Sequence, residues 1–273
     1  MFVDRHALRR DLGRHRRGCW PTAALRDLAS TLQPRHGAVA VGLPHSGRAE
    51  PLIGCGMQIV LVPGFMLDAD LWSEVRPSFE AFGTVLDADT ASDETVSGMA
   101  QRALSMSNGP LAVIGFSMGG YIAREIAYQA PARVQALALI GSSSKGQTGT
   151  MGSGQTTRFH SLSLGAVSRS LHPDHATPEL VERIRAMSAR LGHDVFQRQS
   201  HMSRADDTDR LHEITCPTLV MAALDDQLRT VEESRVLHDN IAGSTLTLVG
   251  HCGHLIPLEQ PAKLVNAVQT LLG

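Results

Sequence analysis

Ser117 stands in the run Gly115-Phe116-Ser117-Met118-Gly119, a G-x-S-x-G pattern. A serine hydroxyl is a weak nucleophile near neutral pH. To attack a carbonyl it needs an imidazole that takes its proton, and usually a carboxylate that orients and stabilises that imidazole once charged. Candidates for both partners occur later in the chain. Leu224-Asp225-Asp226 follows one apolar run, and Gly250-His251-Cys252-Gly253-His254 follows another. The resulting order is nucleophile, acid, histidine. Both histidines are candidates for the base. His254 is favoured because it lies in the Gly-His-x-x-Pro-x-Glu-x-Pro run that leads into the last helical stretch. Asp226 is favoured as the acid over Asp225, but either can turn inward, and backbone geometry decides between them.

The elements that must position these groups are legible around them. Leu111 to Phe116 is an apolar run suited to a buried strand, and a helical pattern follows at once through Ile122, Ala123, Ile126 and Ala127. Strand, sharp turn and helix expose a hydroxyl at the tip of the turn, and the glycines two before and two after the serine let it close. The helix that begins behind it aims its free N–H groups and the positive end of its dipole at the same spot. Met118 then offers one N–H to an oxyanion. A second donor is expected from Phe65, in the loop Pro63-Gly64-Phe65 after the first strand.

Apolar runs at 59–62, 84–87, 111–116, 134–140, 218–223 and 244–249 read as strands, with helical patterns between them. Leu71, Trp72, Val75 and Phe79 recur at helical spacing, Thr95 opens a helix, Glu232 to Asn240 reads as another, and Pro261 starts the last. This alternation predicts an α/β fold, a doubly wound, mostly parallel sheet covered on both faces. Between Lys145 and Glu213 no strand is evident. A Gly/Ser/Thr linker over 146–157 leads there into helical stretches near 159–171, 178–191 and 195–205. The expected organisation is an N-terminal extension over 1–56, a core over 57–144 and 214–273, and a helical cap over 145–213.

The cap is where a substrate pocket is sought. Phe159, Leu162 and Phe196, with Leu164 and Met187, are candidate pocket residues or equally cap core, and their apolar character suggests a modestly sized apolar substrate. Arg158, Arg198 and Arg204 could grip a carboxylate, although a solvated or salt-bridged face is the commoner use of such residues.

Composition narrows the partners. With 25 Lys+Arg against 27 Asp+Glu, the formal net charge of −2 gives no reason to expect nucleic acid or an anionic membrane. Cys19, Cys55, Cys216 and Cys252 have neither zinc-site nor disulfide-framework spacing, so free thiols in a reducing compartment, the cytoplasm, are expected. No apolar run approaches the roughly 18 residues of a membrane span. A small-molecule substrate is the expected partner, with no metal and no cofactor. The N-terminal segment, with arginines crowding its first twenty positions, reads as an extension, or as sequence upstream of a start at Met57, rather than as a targeting segment, because Asp4, Asp11 and Asp27 interrupt the acid-poor pattern of transit peptides.

Several segments together resemble the alpha/beta-hydrolase superfamily: Val60 to Phe65, Leu71-Trp72, Gly115 to Gly120, Pro131-x-Arg133-Val134, Pro217 to Val220 with Asp225-Asp226, and Gly253-His254 with Glu259-x-Pro261. The likeness runs from about Gln58 to the C-terminus and is closest to the compact branch of esterases and carbon–carbon bond hydrolases with an inserted helical cap. It implies Ser117 as nucleophile, Asp226 as acid, His254 as base, and Phe65 and Met118 as oxyanion donors. Three departures stand out. Pro63-Gly64 replaces a common His-Gly, Ala223 stands where glycine is usual, and the first two strands of the family lack a convincing counterpart before Gln58. The expected activity is hydrolysis of a small carboxylic ester, thioester or lactone. Cleavage of a carbon–carbon bond in a ring-cleavage product is one alternative, and a non-catalytic ligand-binding member is another. A dehalogenase is disfavoured, since it needs an aspartate at position 117.

Overall fold

Among the described residues six strands are built from the apolar runs, and the way each alternates decides which layer covers it. The computed structural model describes residues 56–149 and 158–273. The strands are β1 (Gln58–Val62), β2 (Thr84–Asp87), β3 (Leu111–Phe116), β4 (Val134–Ile140), β5 (Thr218–Ala223) and β6 (Thr245–Val249). They form one sheet in the order β2-β1-β3-β4-β5-β6, with every pairing parallel. β3 and β5 are buried at every position, as strands covered on both faces must be. Ile59, Leu61 and Ile114 pack into one apolar layer, and Val60, Val62 and Val113 into the other. This is the period of two expected of a strand.

Among the described residues the α-helices are α1 (Arg76–Glu80), α2 (Val96–Ser105), α3 (Met118–Gln129), α4 (Leu164–Ser170), α5 (Pro178–His201), α6 (Val231–Asn240), α7 (Ile256–Glu259) and α8 (Pro261–Leu272). Thr95 caps α2 through the N–H of Gly98, and Thr230 and Glu233 form a reciprocal capping box on α6. α1 and α8 pack with one apolar layer, and α2, α3 and α6 with the other. The winding direction reverses between the adjacent strands β1 and β3. At such a switch point the loops after the two strands part and leave a crevice outside their carboxyl ends.

Some helical expectations are corrected. Leu71, Trp72, Val75 and Phe79 are all buried, but on a short 3-10 turn (Ala69–Trp72) followed by α1 rather than on one helix. In the segment between β4 and β5, α4 starts at Leu164 and not near Phe159. The N–H groups of Phe159 and Leu162 are taken by His193 Nδ1 and Ser188 Oγ, and Ser163 supplies the cap. The two later stretches are both present, separated within α5 by the non-helical backbone of Gly192 (φ 76°) where the gap was expected, but the second stops at His201 rather than at 205. Beyond it, Arg204 pairs with Gln147 in an antiparallel bridge. The N-terminal extension, except for Gly56, and residues 150–157 of the linker lie outside the described residues. So does any strand preceding Gln58.

Candidate active site

The turn at Ser117 has the backbone that the motif demands. Ser117 sits at φ 53° and ψ −113°, between the last residue of β3 and the first of α3. A non-glycine residue there is strained, and the neighbouring glycines show why the strain is tolerated. A Cβ on Gly119 would lie 2.1 Å from the carbonyl oxygen of Val62, and one on Gly115 would lie 2.7 Å from Ala123 Cβ. The helix can pack this close to the strands only without those side chains. Ser142, just after β4, donates its hydroxyl to the Ser117 carbonyl at 2.9 Å and fixes the turn from below.

Two later loops meet this serine. After β6, His254 is 5% exposed and places Nε2 2.9 Å from Ser117 Oγ. Its Nδ1 lies 2.7 Å from Asp226 Oδ2, in the loop after β5. An ionised carboxylate can only accept, so Nδ1 carries the proton and Nε2 is left as the acceptor for the serine hydroxyl. The other oxygen of Asp226 accepts the N–H groups of Leu228 and Arg229, which locks the carboxylate in place. Asp225 is exposed, and its carboxylate faces the N–H of Cys252.

His254 is further fixed through its backbone, its ring face and its neighbours in the loop. Its backbone N–H donates to Ser170 O of α4, and Phe116 packs against the ring at 4.9 Å between centroids. Glu259, its carboxylate fully buried, accepts from the N–H groups of His172, Gly253 and Leu255 and contacts His175 Nδ1. One carboxylate thus ties the His254 loop to the α4–α5 connection. Sequence reasoning saw Glu259 only as part of a motif and did not assign it this work. Cys252 is also buried here, and burial pushes its thiol well above the usual range.

On the opposite side lies the loop after β1. Gly64 comes so close to the turn that a Cβ there would meet Phe116 Cδ1 at 3.0 Å and Ser117 Cβ at 3.3 Å. Met66 has φ 54° and donates its N–H to Oε1 of Gln199, whose own amide donates to Thr90 O. Gln199 is a fully buried residue of α5. It fixes the backbone of the Phe65 loop from the inserted segment, and its only sequence signal was an amide placed among apolar positions of a helix. Met118 opens α3, so its N–H has no intrahelical partner.

Two cavities open beside Ser117. One, about 220 Å³, is mostly apolar and runs past His254, Leu255, Leu162, Ile184 and Phe116. The other, about 360 Å³, is lined by Phe65, Met118, Phe196, Gln199, Arg204 and Arg229 among others. Leu162 and Phe196 therefore line separate cavities, while Phe159 stacks on Phe196 at 4.1 Å. Leu164 is 60% exposed and Met187 is buried in the core. Arg158 is exposed, and Arg198 donates to Ala91 O beside a different cavity.

His251 does not reach Ser117. It lies against His172 and His175 on the surface. With His172 and Asp174 it forms the one group among the described residues whose ligand atoms, all within 4.8 Å of one another, could hold a metal ion. Among the described residues no helix is long and apolar enough to cross a membrane.

In sequence and fold the chain is similar to known hydrolases. The chain is 24% identical over 166 residues to 3-oxoadipate enol-lactonase 2 of Acinetobacter baylyi, a match covering 58% of this chain and 62% of that protein, less than two thirds of its length. It is 23% identical over 275 residues to a monoacylglycerol lipase of Xenopus laevis, covering 84% of this chain and 78% of the lipase. Its fold superposes on the crystal structure of an enol-lactonase from Burkholderia xenovorans LB400 with a TM-score of 0.72 at 18% identity, over 80% of this chain and 92% of that one. The alpha/beta hydrolase family model matches residues 12–268, and the chain belongs to that family.

Proposed function

We propose that the protein is a cofactor-independent serine hydrolase that cleaves a small carboxylic ester, thioester or lactone through an acyl-enzyme. The observation that carries this reading is the continuous hydrogen-bonded line from Ser117 Oγ through the His254 ring to Asp226. In the first step Ser117 Oγ bonds to the substrate carbonyl carbon while its proton passes to His254 Nε2. Asp226 stabilises the resulting imidazolium. The carbonyl oxygen becomes an anion received by the backbone N–H groups of Phe65 and Met118. Collapse breaks the bond to the leaving oxygen or sulfur, which takes the proton from His254. A water molecule, deprotonated by the same imidazole, then releases the acid and restores the serine.

The relatives named as a lactonase and a lipase act on ester bonds, which supports this bond class for the present chain. The free thiols at Cys216 and Cys252 fit a reducing compartment, the cytoplasm. Turnover of p-nitrophenyl butyrate tests the reading. Ser117→Ala and His254→Ala each abolish it, whereas His251→Ala keeps it. Undiminished turnover by Ser117→Ala contradicts the proposal.

A further inference from the structure

Among the described residues two arginines are more than nine-tenths buried, and they are treated differently. Arg124 is 0% exposed, and its guanidinium is matched by Asp207, with Nε at 2.7 Å from Oδ2 and Nη2 at 2.8 Å from Oδ1. Arg204 is 8% exposed and has no carboxylate partner among the described residues. Its Nη1 donates to the amide oxygen of Gln147 at 2.8 Å, its Nη2 reaches Gln199 O at 3.4 Å, and its Nε has no partner there. A buried cation with an unused donor is costly unless something supplies the missing negative charge. Arg204 lines the larger cavity beside Ser117. Arg229, half-buried, stands in the same wall and donates to the same Gln147 oxygen at 3.3 Å. Burial, above all, lowers the pKa of Arg204; Tyr121 acts against the shift and Arg229, which has Glu233 at 3.8 Å, adds to it.

Two cavities that meet at Ser117 offer separate room for the two halves of an ester. The leaving group takes its proton from His254, so it belongs in the apolar cavity that His254, Leu255, Leu162 and Ile184 line. The acyl group then extends the other way, past Phe65 and Met118 toward Arg204. We propose that this acyl arm ends in a carboxylate held by Arg204, with Arg229 as second cation, so that the enzyme acts on half-esters of dicarboxylic acids with an apolar leaving group. The proposal rests on Ser117 being the nucleophile. A guanidinium suits the task because its planar fork meets both carboxylate oxygens.

The test compares p-nitrophenyl hydrogen adipate with p-nitrophenyl hexanoate, two esters of equal chain length that differ in the distal charge. The wild type is expected to favour the adipate ester in kcat/KM by roughly ten- to a hundredfold, the range of a charge-assisted hydrogen bond. Arg204→Met should remove that preference mainly through KM, and Arg204→Lys should restore part of it. Free adipate should also inhibit wild-type hydrolysis of the hexanoate ester competitively, a measurement that stands even if a variant fails to fold. Equal turnover of the two esters by the wild type, no inhibition by adipate, or a folded Arg204→Met that keeps the preference overturns the proposal while leaving the serine hydrolase intact. Turnover of neither ester overturns the nucleophile assignment and this inference with it.

Discussion

His254 and Asp226 are 28 residues apart in sequence, yet Nδ1 and Oδ2 lie 2.7 Å from each other with both side chains almost wholly buried. The pairing of parallel strands β5 and β6, Ala223 opposite Val249, brings the two loops side by side. If Asp226 sets the tautomer of His254, Asp226→Asn should lower kcat by roughly a thousand- to ten-thousandfold with little change in secondary structure. Asp225→Asn, altering an exposed carboxylate that faces only the Cys252 N–H, should retain most of the activity. Steady-state kinetics on the two variants, with circular dichroism as the control for folding, checks both.

The turn at Ser117 predicts a stability effect at a residue with no chemistry of its own. In Gly119→Ala the new methyl group would meet backbone atoms, Val62 O at 2.1 Å and Pro63 O at 2.6 Å, which cannot swing aside as a side chain can. The expected loss is about 2 kcal/mol or more, the range of overpacked cores. Activity should fall as well, because the displaced backbone leads directly into the Phe65 loop. Urea unfolding and ester turnover of the same sample read the two effects.

A third prediction concerns alkaline pH. Tyr128 donates its hydroxyl to Asp207 at 3.0 Å, and burial, with the Asp207 charge, raises its pKa well above the ordinary value. The native state therefore holds that proton more tightly than the unfolded chain. The resulting stability is complete below the usual tyrosine pKa of about 10 and is lost as pH rises beyond it. Urea midpoints measured between about pH 9 and 11 should fall more steeply for the wild type than for Tyr128→Phe.

Much of this site could be read from residue order because its parts are local. The strand before Ser117, the glycines around it and the helix behind it are contiguous, so their pattern carried the geometry. Asp226 and His254 each follow a strand whose apolar run was evident, and a parallel sheet aligns strand ends. The choice between Asp225 and Asp226 was not legible, since it depends on which way one loop residue turns. Helix boundaries between β4 and β5 failed for a related reason. Phe159 and Leu162 look helical, but their N–H groups are held by His193 and Ser188, partners 34 and 26 residues away. Gln199 and Arg204 were the hardest. A buried glutamine that fixes the Met66 backbone, and a buried guanidinium with an unused donor, differ from ordinary surface residues only in what surrounds them.

Covalent capture of Ser117 tests the central claim most directly. A fluorophosphonate probe should label the wild-type protein once, on the peptide that contains Ser117, and Ser117→Ala should take up none, while His254→Ala should label far more slowly. Failure of the wild type to react, or equal labelling of Ser117→Ala, would contradict a nucleophilic serine at this turn.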